Sequence, residues 1–258
     1  MGIGTRMGIM ALAGAGGNGF ADTTSWELDG TDDYLIGTSY NTFPAHDASS
    51  DDESWTINSW VKFDAISGNQ YIWYISESGG TLVTYLFVNG DGRLQAFVTG
   101  NGSNWTRSGN SVIAADTWYM LTVKYDSTIS SRYSRLRIRV NGATPTGHSS
   151  NFLAANSGAS GNIHLGSNYA ESNIMGGHIN EPAIWMNYVA SDSELLDLYN
   201  SGAATNLNSH STVPTNWFRS ENAVWDGTDY TMTDEMGTGL TVKTDNMSQA
   251  SRTTDVPS

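Results

Sequence analysis

The sequence predicts an all-β protein, an antiparallel β-sandwich with one short helix. Three observations predict it. The 258 residues are rich in Gly, Ser, Thr and Asn and carry 9 Trp and 12 Tyr but only 12 Lys plus Arg, a composition of short strands and tight turns. Asp-Gly and Asn-Gly turn signals recur at short intervals. Only the stretch from Ser191 to Gly202 carries a helix pattern with its own start and stop. A chain of this length supports one large β domain with a sizeable core.

The chain opens with MGIGTRMGIMALAGAGG. Its apolar stretch from Met7 to Ala15 is broken repeatedly by Gly, so residues 1–20 are expected to form a Gly-rich arm, unstructured or ordered on a partner, rather than a cleaved leader. From Ser25, Trp26 and Leu28 alternate with Ser25 and Glu27, Asp29-Gly30 marks a turn, and Tyr34–Ile36 follows as a strand. Asn41–Asp52 reads as a polar loop with the acidic run Asp51-Asp52-Glu53. Trp55–Phe63 alternates, with Trp55, Ile57, Ser59, Val61 and Phe63 on one face and Thr56, Asn58, Trp60 and Lys62 on the other.

Tyr71–Ser76 and Leu82–Val88 are the next strands, and Asn89-Gly90-Asp91-Gly92 turns the second into Leu94–Val98. Gly100–Ser111 reads as a loop with Trp105 near its tip. Trp118–Tyr125 and Leu136–Val140 are strands, Gly142–Gly161 is a long polar loop, and Ile163–Leu165 and Gly177–Trp185 are the last strands before the helix. That helix has Ser191 as N-cap and Glu194 three residues on, a capping box, with Asp192 and Glu194 at the positive end of the dipole. Leu195, Leu196, Leu198 and Tyr199 make its apolar stripe, and Gly202 is expected to end it. Asn216–Glu221 reads as one more strand and Gln249–Ser258 as a tail.

The net charge of −14 disfavours nucleic acid and anionic membrane surfaces as partners. With no cysteine there is neither a disulfide framework nor a thiolate zinc site. No run approaches the roughly 18 apolar residues of a spanning helix. The His residues are scattered without metal spacing, and no phosphate loop or nucleophile elbow is present.

Several segments, in order and at matching spacing, resemble a known family. Ser25–Ile36 (SWELDGTDDYLI), Ser54–Val61 (SWTINSWV), Thr117–Asp126 (TWYMLTVKYD), Leu136–Gly142 (LRIRVNG), Ile163–Gly166 (IHLG), and Gly177–Asn187 with its helix are similar to the successive strands of laminin-G-like, concanavalin A-type jelly rolls. The resemblance covers roughly Ser25–Gly202 and implies a jelly-roll domain over residues 21–203. Asn216–Met247 resembles the strand pair that usually begins such domains, so residues 204–258 are expected as a C-terminal strand extension packed on the sandwich or on a neighbour.

The layout, with its Met- and Gly-rich arm, looks like jelly-roll proteins of tailed phages. That resemblance implies a non-enzymatic virion surface protein, a head decoration or fibre-associated module, with glycan binding as an added capacity. Its partners would be other virion proteins or its own copies, through the terminal arms, and cell-surface glycan. The alternative is a secreted bacterial carbohydrate-binding or adhesion module; the third reading is a glycoside hydrolase of the same fold. Hydrolases of this fold set their carboxylates in a Glu-x-Asp-x-x-Glu or similar run along one strand, and no strand here carries one.

Sugar rings stack on aromatic faces, and Trp73, Tyr85 and Trp105 are the candidates, with Trp105 expected to be exposed. Arg132, Arg135, Arg137 and Arg139 form the basic cluster; the last three alternate and are expected on one strand face, as a solvated surface or a patch for acidic glycan or an acidic neighbouring subunit. The resemblance also implies one Ca2+. The family's Asp at the start of its penultimate motif is Asn180 here, followed by Glu181, and Asp29 and Glu221 are the supporting candidates.

Overall fold

The computed structural model describes residues 20–40, 54–77, 83–100, 102–151 and 161–258. The N-terminal arm up to residue 19 and the acidic run Asp51–Glu53 lie outside the described residues. The strands are β1 (Ser25–Asp29), β2 (Tyr34–Tyr40), β3 (Trp55–Phe63), β4 (Gln70–Glu77), β5 (Val83–Val88), β6 (Leu94–Gly100), β7 (Gly102–Arg107), β8 (Tyr119–Tyr125) and β9 (Leu136–Val140). They continue with β10 (Ser149–Asn151), β11 (Gly161–Leu165), β12 (Gly176–Met186), β13 (Asn216–Trp217), β14 (Val224–Trp225), β15 (Tyr230–Thr233), β16 (Thr241–Asp245) and β17 (Arg252–Thr253). The helix α1 spans Asp192–Tyr199.

Among the described residues these strands form two antiparallel sheets. The seven-stranded sheet runs β17-β1-β12-β3-β8-β9, with β13 also on β12; the ten-stranded sheet runs β10-β7-β6-β5-β4-β11-β2-β16-β15-β14. Between them lies the main core, which includes Trp26, Trp55, Val61, Phe63 and Ile179 from the first sheet and Leu35, Ile72, Trp73, Leu86 and Val98 from the second. A second cluster sits on the other side of the seven-stranded sheet, where Trp60, Met120, Ala183 and Trp185 pack under Leu195 and Leu198 of α1, Leu207 and Trp217. This second layer is why both faces of β3 are buried although its sequence alternates.

Several expectations change. The predicted Gly100–Ser111 loop contains β7, a strand rich in Gly, Ser and Asn that pairs with β6 along its full length, and the predicted Gly142–Gly161 loop contains β10. Cross-strand pairing outweighs the weak strand propensity of these residues. The predicted strand Asn216–Glu221 keeps only Asn216–Trp217 and then turns at Ser220–Asn222. The predicted tail carries β17 on β1.

At the helix, both halves of the capping box form. Its end is two residues earlier than predicted, because Asn200 takes the left-handed C-cap conformation and donates its backbone N–H to the Leu196 carbonyl. Leu195 and Leu198 face the second core cluster, while Leu196 is exposed.

Two β-bulges position the functional residues. On β12, Asn180 pairs with Trp60 but Ala183 with Asn58, so one residue is extra; Glu181 takes φ +49 there. Pro182 sits inside the bulge, one of the few places in a central strand that tolerate it. On β4, Tyr71 pairs with Phe87 but Trp73 with Leu86, so Ile72 and Trp73 both turn into the core.

Candidate functional site

The outer face of the ten-stranded sheet is built by register. Trp105 pairs with Phe97, Phe97 with Tyr85, Tyr85 with Tyr74 and Tyr74 with His164, one residue on each of five neighbouring strands. Residues directly opposite one another share a face, so these side chains form one row across the strands. At an inter-strand spacing of about 4.8 Å the row is roughly 19 Å long. A parallel row two residues along contains Arg107, Gln95, Phe87 and Tyr71.

The rings touch. Phe97 and Tyr85 stack at 4.9 Å between centroids, Tyr85 and Tyr74 at 5.6 Å with 4° between their planes, and Tyr71 contacts Tyr85 at 5.4 Å and Phe87 at 5.3 Å. The Arg107 guanidinium lies 4.6 Å from the Trp105 ring. Tyr71, Tyr74, Tyr85, Phe87, Phe97 and Trp105 are all half-buried, which leaves part of each ring open. Burial pushes the Tyr71, Tyr74 and Tyr85 phenols upward, so they are neutral and able to donate at physiological pH.

At the end of the row His164 is buried between Tyr34 at 6.0 Å, Tyr74 at 6.4 Å and Tyr169 at 6.3 Å. Burial also lowers its pKa and keeps it neutral, and its Nε2 has no hydrogen-bond partner. The row can therefore stack on flat, weakly apolar rings and exchange hydrogen bonds with hydroxyls through neutral groups.

Of the three aromatic candidates, Tyr85 stands at the centre of this face. Trp105 is half-buried on β7 rather than exposed on a loop tip. Trp73 is corrected: the β4 bulge turns it into the core, where its Nε1 donates to Ser59 Oγ at 2.9 Å.

The basic cluster sits at the β9 edge of the seven-stranded sheet. Arg137 and Arg139 share one face of β9, whereas Arg135 precedes the strand and donates to the Ile129 carbonyl at 2.8 Å. Arg139 is buried and donates to both oxygens of Asp192 at 3.1 Å, and Lys124 Nζ donates to Asp192 at 2.7 Å and to the Ala190 carbonyl at 2.9 Å. Arg139, then Lys124, hold the Asp192 carboxyl down to about 2 against its partial burial. Two of the cations in this patch are thus matched to an anion of their own chain. The Arg132 side chain lies outside the description.

The metal candidates separate into two places. Asp29 is at the far end of β1, where its Oδ1 accepts from the N–H groups of Thr31, Asp32 and Asp33 at 2.7, 3.2 and 3.4 Å and so holds the Asp29-Gly30 turn. It also borders a polar rim cavity of about 570 Å³ with Asp64, Gln70 and Glu171. Asn180, Glu181 and Glu221 come together elsewhere, and Asp22 joins them, with carboxylate oxygens of Asp22, Glu181 and Glu221 within 4.8 Å of one another.

Arg219 lies in the middle of this second group. Its Nε donates to Glu181 Oε1 at 3.0 Å, its Nη2 donates to the Ala21 carbonyl at 2.7 Å and lies 3.3 Å from Glu221 Oε2. The other Glu181 oxygen accepts from Trp217 Nε1. Glu221 Oε1 accepts from the N–H groups of Thr23 and Thr24 at 2.7 and 3.0 Å. Asn180 offers Asp22 an amide N–H at 2.8 Å. Burial pushes the Asp22 carboxyl up to about 6, opposed by the bond from Asn180, and pushes Glu181 up as well, opposed by Arg219.

These donors do not fit a calcium ion, which takes six to eight oxygens. Asp22 Oδ2 is the carboxylate oxygen of the group that meets no donor, and Glu221 Oε2 meets only the guanidinium. Asp22 and Arg219 escaped the sequence reading. The one signal was Pro182 directly after Glu181 in a central strand, which marks a bulge and hence an inward-turned acid.

Two antiparallel sheets, one capped by a helix and the other presenting an open face, define the class of jelly-roll sandwiches. More narrowly, a sequence profile of the concanavalin A-like lectin/glucanases superfamily, of the laminin G type, matches residues 35–196, and the chain belongs to that family. Among solved structures, a carbohydrate-binding protein by assignment from Bacteroides ovatus is similar at a TM-score of 0.62 and 13% identity, over 92% of this chain and 62% of that one. The chain therefore spans about three-fifths of that protein's length. A heptameric SAP-like pentraxin from Limulus polyphemus is similar at a TM-score of 0.50 and 16% identity, over 69% of this chain and 82% of that one. Comparison with curated protein sequences gives no match.

Proposed function

We propose that this chain is a non-catalytic carbohydrate-binding module whose ligand lies along the aromatic row of the ten-stranded sheet. The observation that carries the reading is the register that sets Trp105, Phe97, Tyr85 and Tyr74 side by side on a partly open face. Membership of a lectin and glucanase superfamily and the fold shared with the Bacteroides ovatus protein support it. Neutral phenols favour a glycan bound chiefly by stacking and hydroxyl contacts, with Arg107 on Trp105 as the charged group of the two rows. Of the readings drawn from the sequence, the carbohydrate-binding module is thus preferred over the virion protein, for which neither the fold nor the two similar structures offer support.

The test is binding of the purified chain to a panel of neutral polysaccharides and oligosaccharides, by glycan array and then calorimetry. Tyr85→Ala is expected to weaken binding about tenfold, the worth of one stacking contact of ~1.4 kcal/mol. Tyr85→Ala with Phe97→Ala should abolish it, while Tyr133→Ala, an exposed ring elsewhere, should leave it unchanged. A wild-type chain that binds no member of the panel, or a double variant that stays folded and binds fully, overturns the reading. So does release of reducing ends from a bound polysaccharide, which would make the chain a hydrolase.

A further inference from the structure

We propose that Arg219 is a built-in cation that takes the place of a metal ion between Asp22, Glu181 and Glu221. A cluster of three buried or half-buried carboxylates needs a cation, since each isolated charge is costly away from water. The chain supplies one from within.

The guanidinium is held by polar partners and by aromatic rings. It bonds Glu181 through Nε and the Ala21 carbonyl through Nη2, and the Glu221 carboxylate is within ion-pair distance. The Phe20 ring lies 4.6 Å from it and the Trp217 ring 5.1 Å, and these two rings contact each other at 6.1 Å, so aromatic surface borders the cation on one side. A planar fork with several fixed donors can bridge backbone and carboxylates in this way, whereas a spherical ion would need their oxygens turned inward. One oxygen of each acid is committed instead, to Trp217 Nε1, to the N–H groups of Thr23 and Thr24, or to the amide of Asn180. Of the other three, Glu181 Oε1 and Glu221 Oε2 face the guanidinium, which leaves Asp22 Oδ2 alone without a donor.

Asn180 fits the same arrangement. Its amide donates to Asp22, a role that a carboxylate ligand cannot fill. Functionally, Arg219 comes from the segment after the helix and Asp22 from the chain before β1. The cation thus pins both ends of the domain without depending on the calcium of its surroundings.

The test uses the full chain with calcium and with terbium(III) as the metal probes. Wild type is expected to show the same Tm in millimolar calcium and in chelator, and no saturable terbium luminescence excited through Trp217. Arg219→Ala removes the cation and leaves the carboxylates. Its Tm should fall in chelator and recover in part with calcium, and it should gain saturable terbium luminescence that a further Glu181→Gln removes. Arg219→Lys keeps a charge and should gain no terbium signal. Should Arg219→Ala fail to fold in chelator, its recovery in calcium gives the same answer. A wild-type Tm that rises with calcium, with the rise lost in Glu221→Gln, overturns the proposal. So does an Arg219→Ala chain that folds and ignores both metals.

Discussion

Single residues with constrained backbones hold the sheet in the form that the site requires. Gly177 on β12 has φ +133, and a Cβ placed there would lie 2.1 Å from the Lys62 carbonyl and 2.8 Å from the Phe63 Cα. Neither is a flexible side-chain end, so β12 and β3 would have to separate. Gly177→Ala is expected to destabilise the protein by more than about 2 kcal/mol in a denaturant titration, and a smaller loss would show that the two strands have room to shift. The sequence exposes such positions unevenly. Pro182 within a strand pattern is a sign of this kind, and it marks the bulge that aims Glu181 inward. Nothing in the order of residues marks the equivalent bulge at Ile72 and Trp73, because an aromatic run reads equally well in either register. Tyr85 opposite Phe97, in contrast, follows from the hairpin turn Asn89–Gly92 once Val88 is paired with Leu94.

At the scale of elements, the helix was readable because its signals are local. Ser191 Oγ accepts from the Glu194 N–H at 3.2 Å, and Glu194 Oε2 accepts from the Ser191 N–H at 2.8 Å. What the sequence could not reveal is that Asp192, chosen there as a dipole partner, also neutralises Arg139 and Lys124 from β9 and β8. Its carboxyl is held at about 2, below the ordinary 3.8. A depressed acid stabilises the folded state fully above its ordinary pKa, and that contribution disappears as the pH falls from about 4 toward 2. Asp192→Asn should therefore flatten part of the acid limb of a stability-against-pH curve. At pH 7 it should cost about 1 kcal/mol, since the carboxylate is 59% exposed and solvent screens the pair. An acid limb as steep as that of the wild type would show that Asp192 does not carry it. β7 shows the opposite case, an element made by its neighbour β6 rather than by its own Gly, Ser and Asn residues.

The whole molecule is closed by residues that the sequence reading placed in an extension. β13 joins β12, β14 to β16 extend the ten-stranded sheet beyond β2, and β17 pairs with β1. Trp217 enters the layer under the helix, while Phe218, Tyr230, Met232, Val242 and Met247 enter the main core. Asp255 then ties the C-terminal end across the seven-stranded sheet, to Lys62 of β3 and to Trp118 Nε1 at 2.9 Å. The local pattern of a strand edge does not reveal which distant strand will cover it, which is why these pairings stayed out of reach while the jelly-roll motifs before Gly202 did not. The energies decide how far the two parts are separable. Six buried side chains at about 2 kcal/mol each amount to roughly the full 5–15 kcal/mol by which a domain is stable. A chain cut after Ala203 also bares the edge of β2, which invites pairing with other chains. The 1–203 fragment is therefore expected to lack a cooperative unfolding transition and to associate, as measured by near-UV circular dichroism and light scattering. A monomeric fragment that unfolds cooperatively would show that the segment after the helix is an accessory and not part of the folding unit.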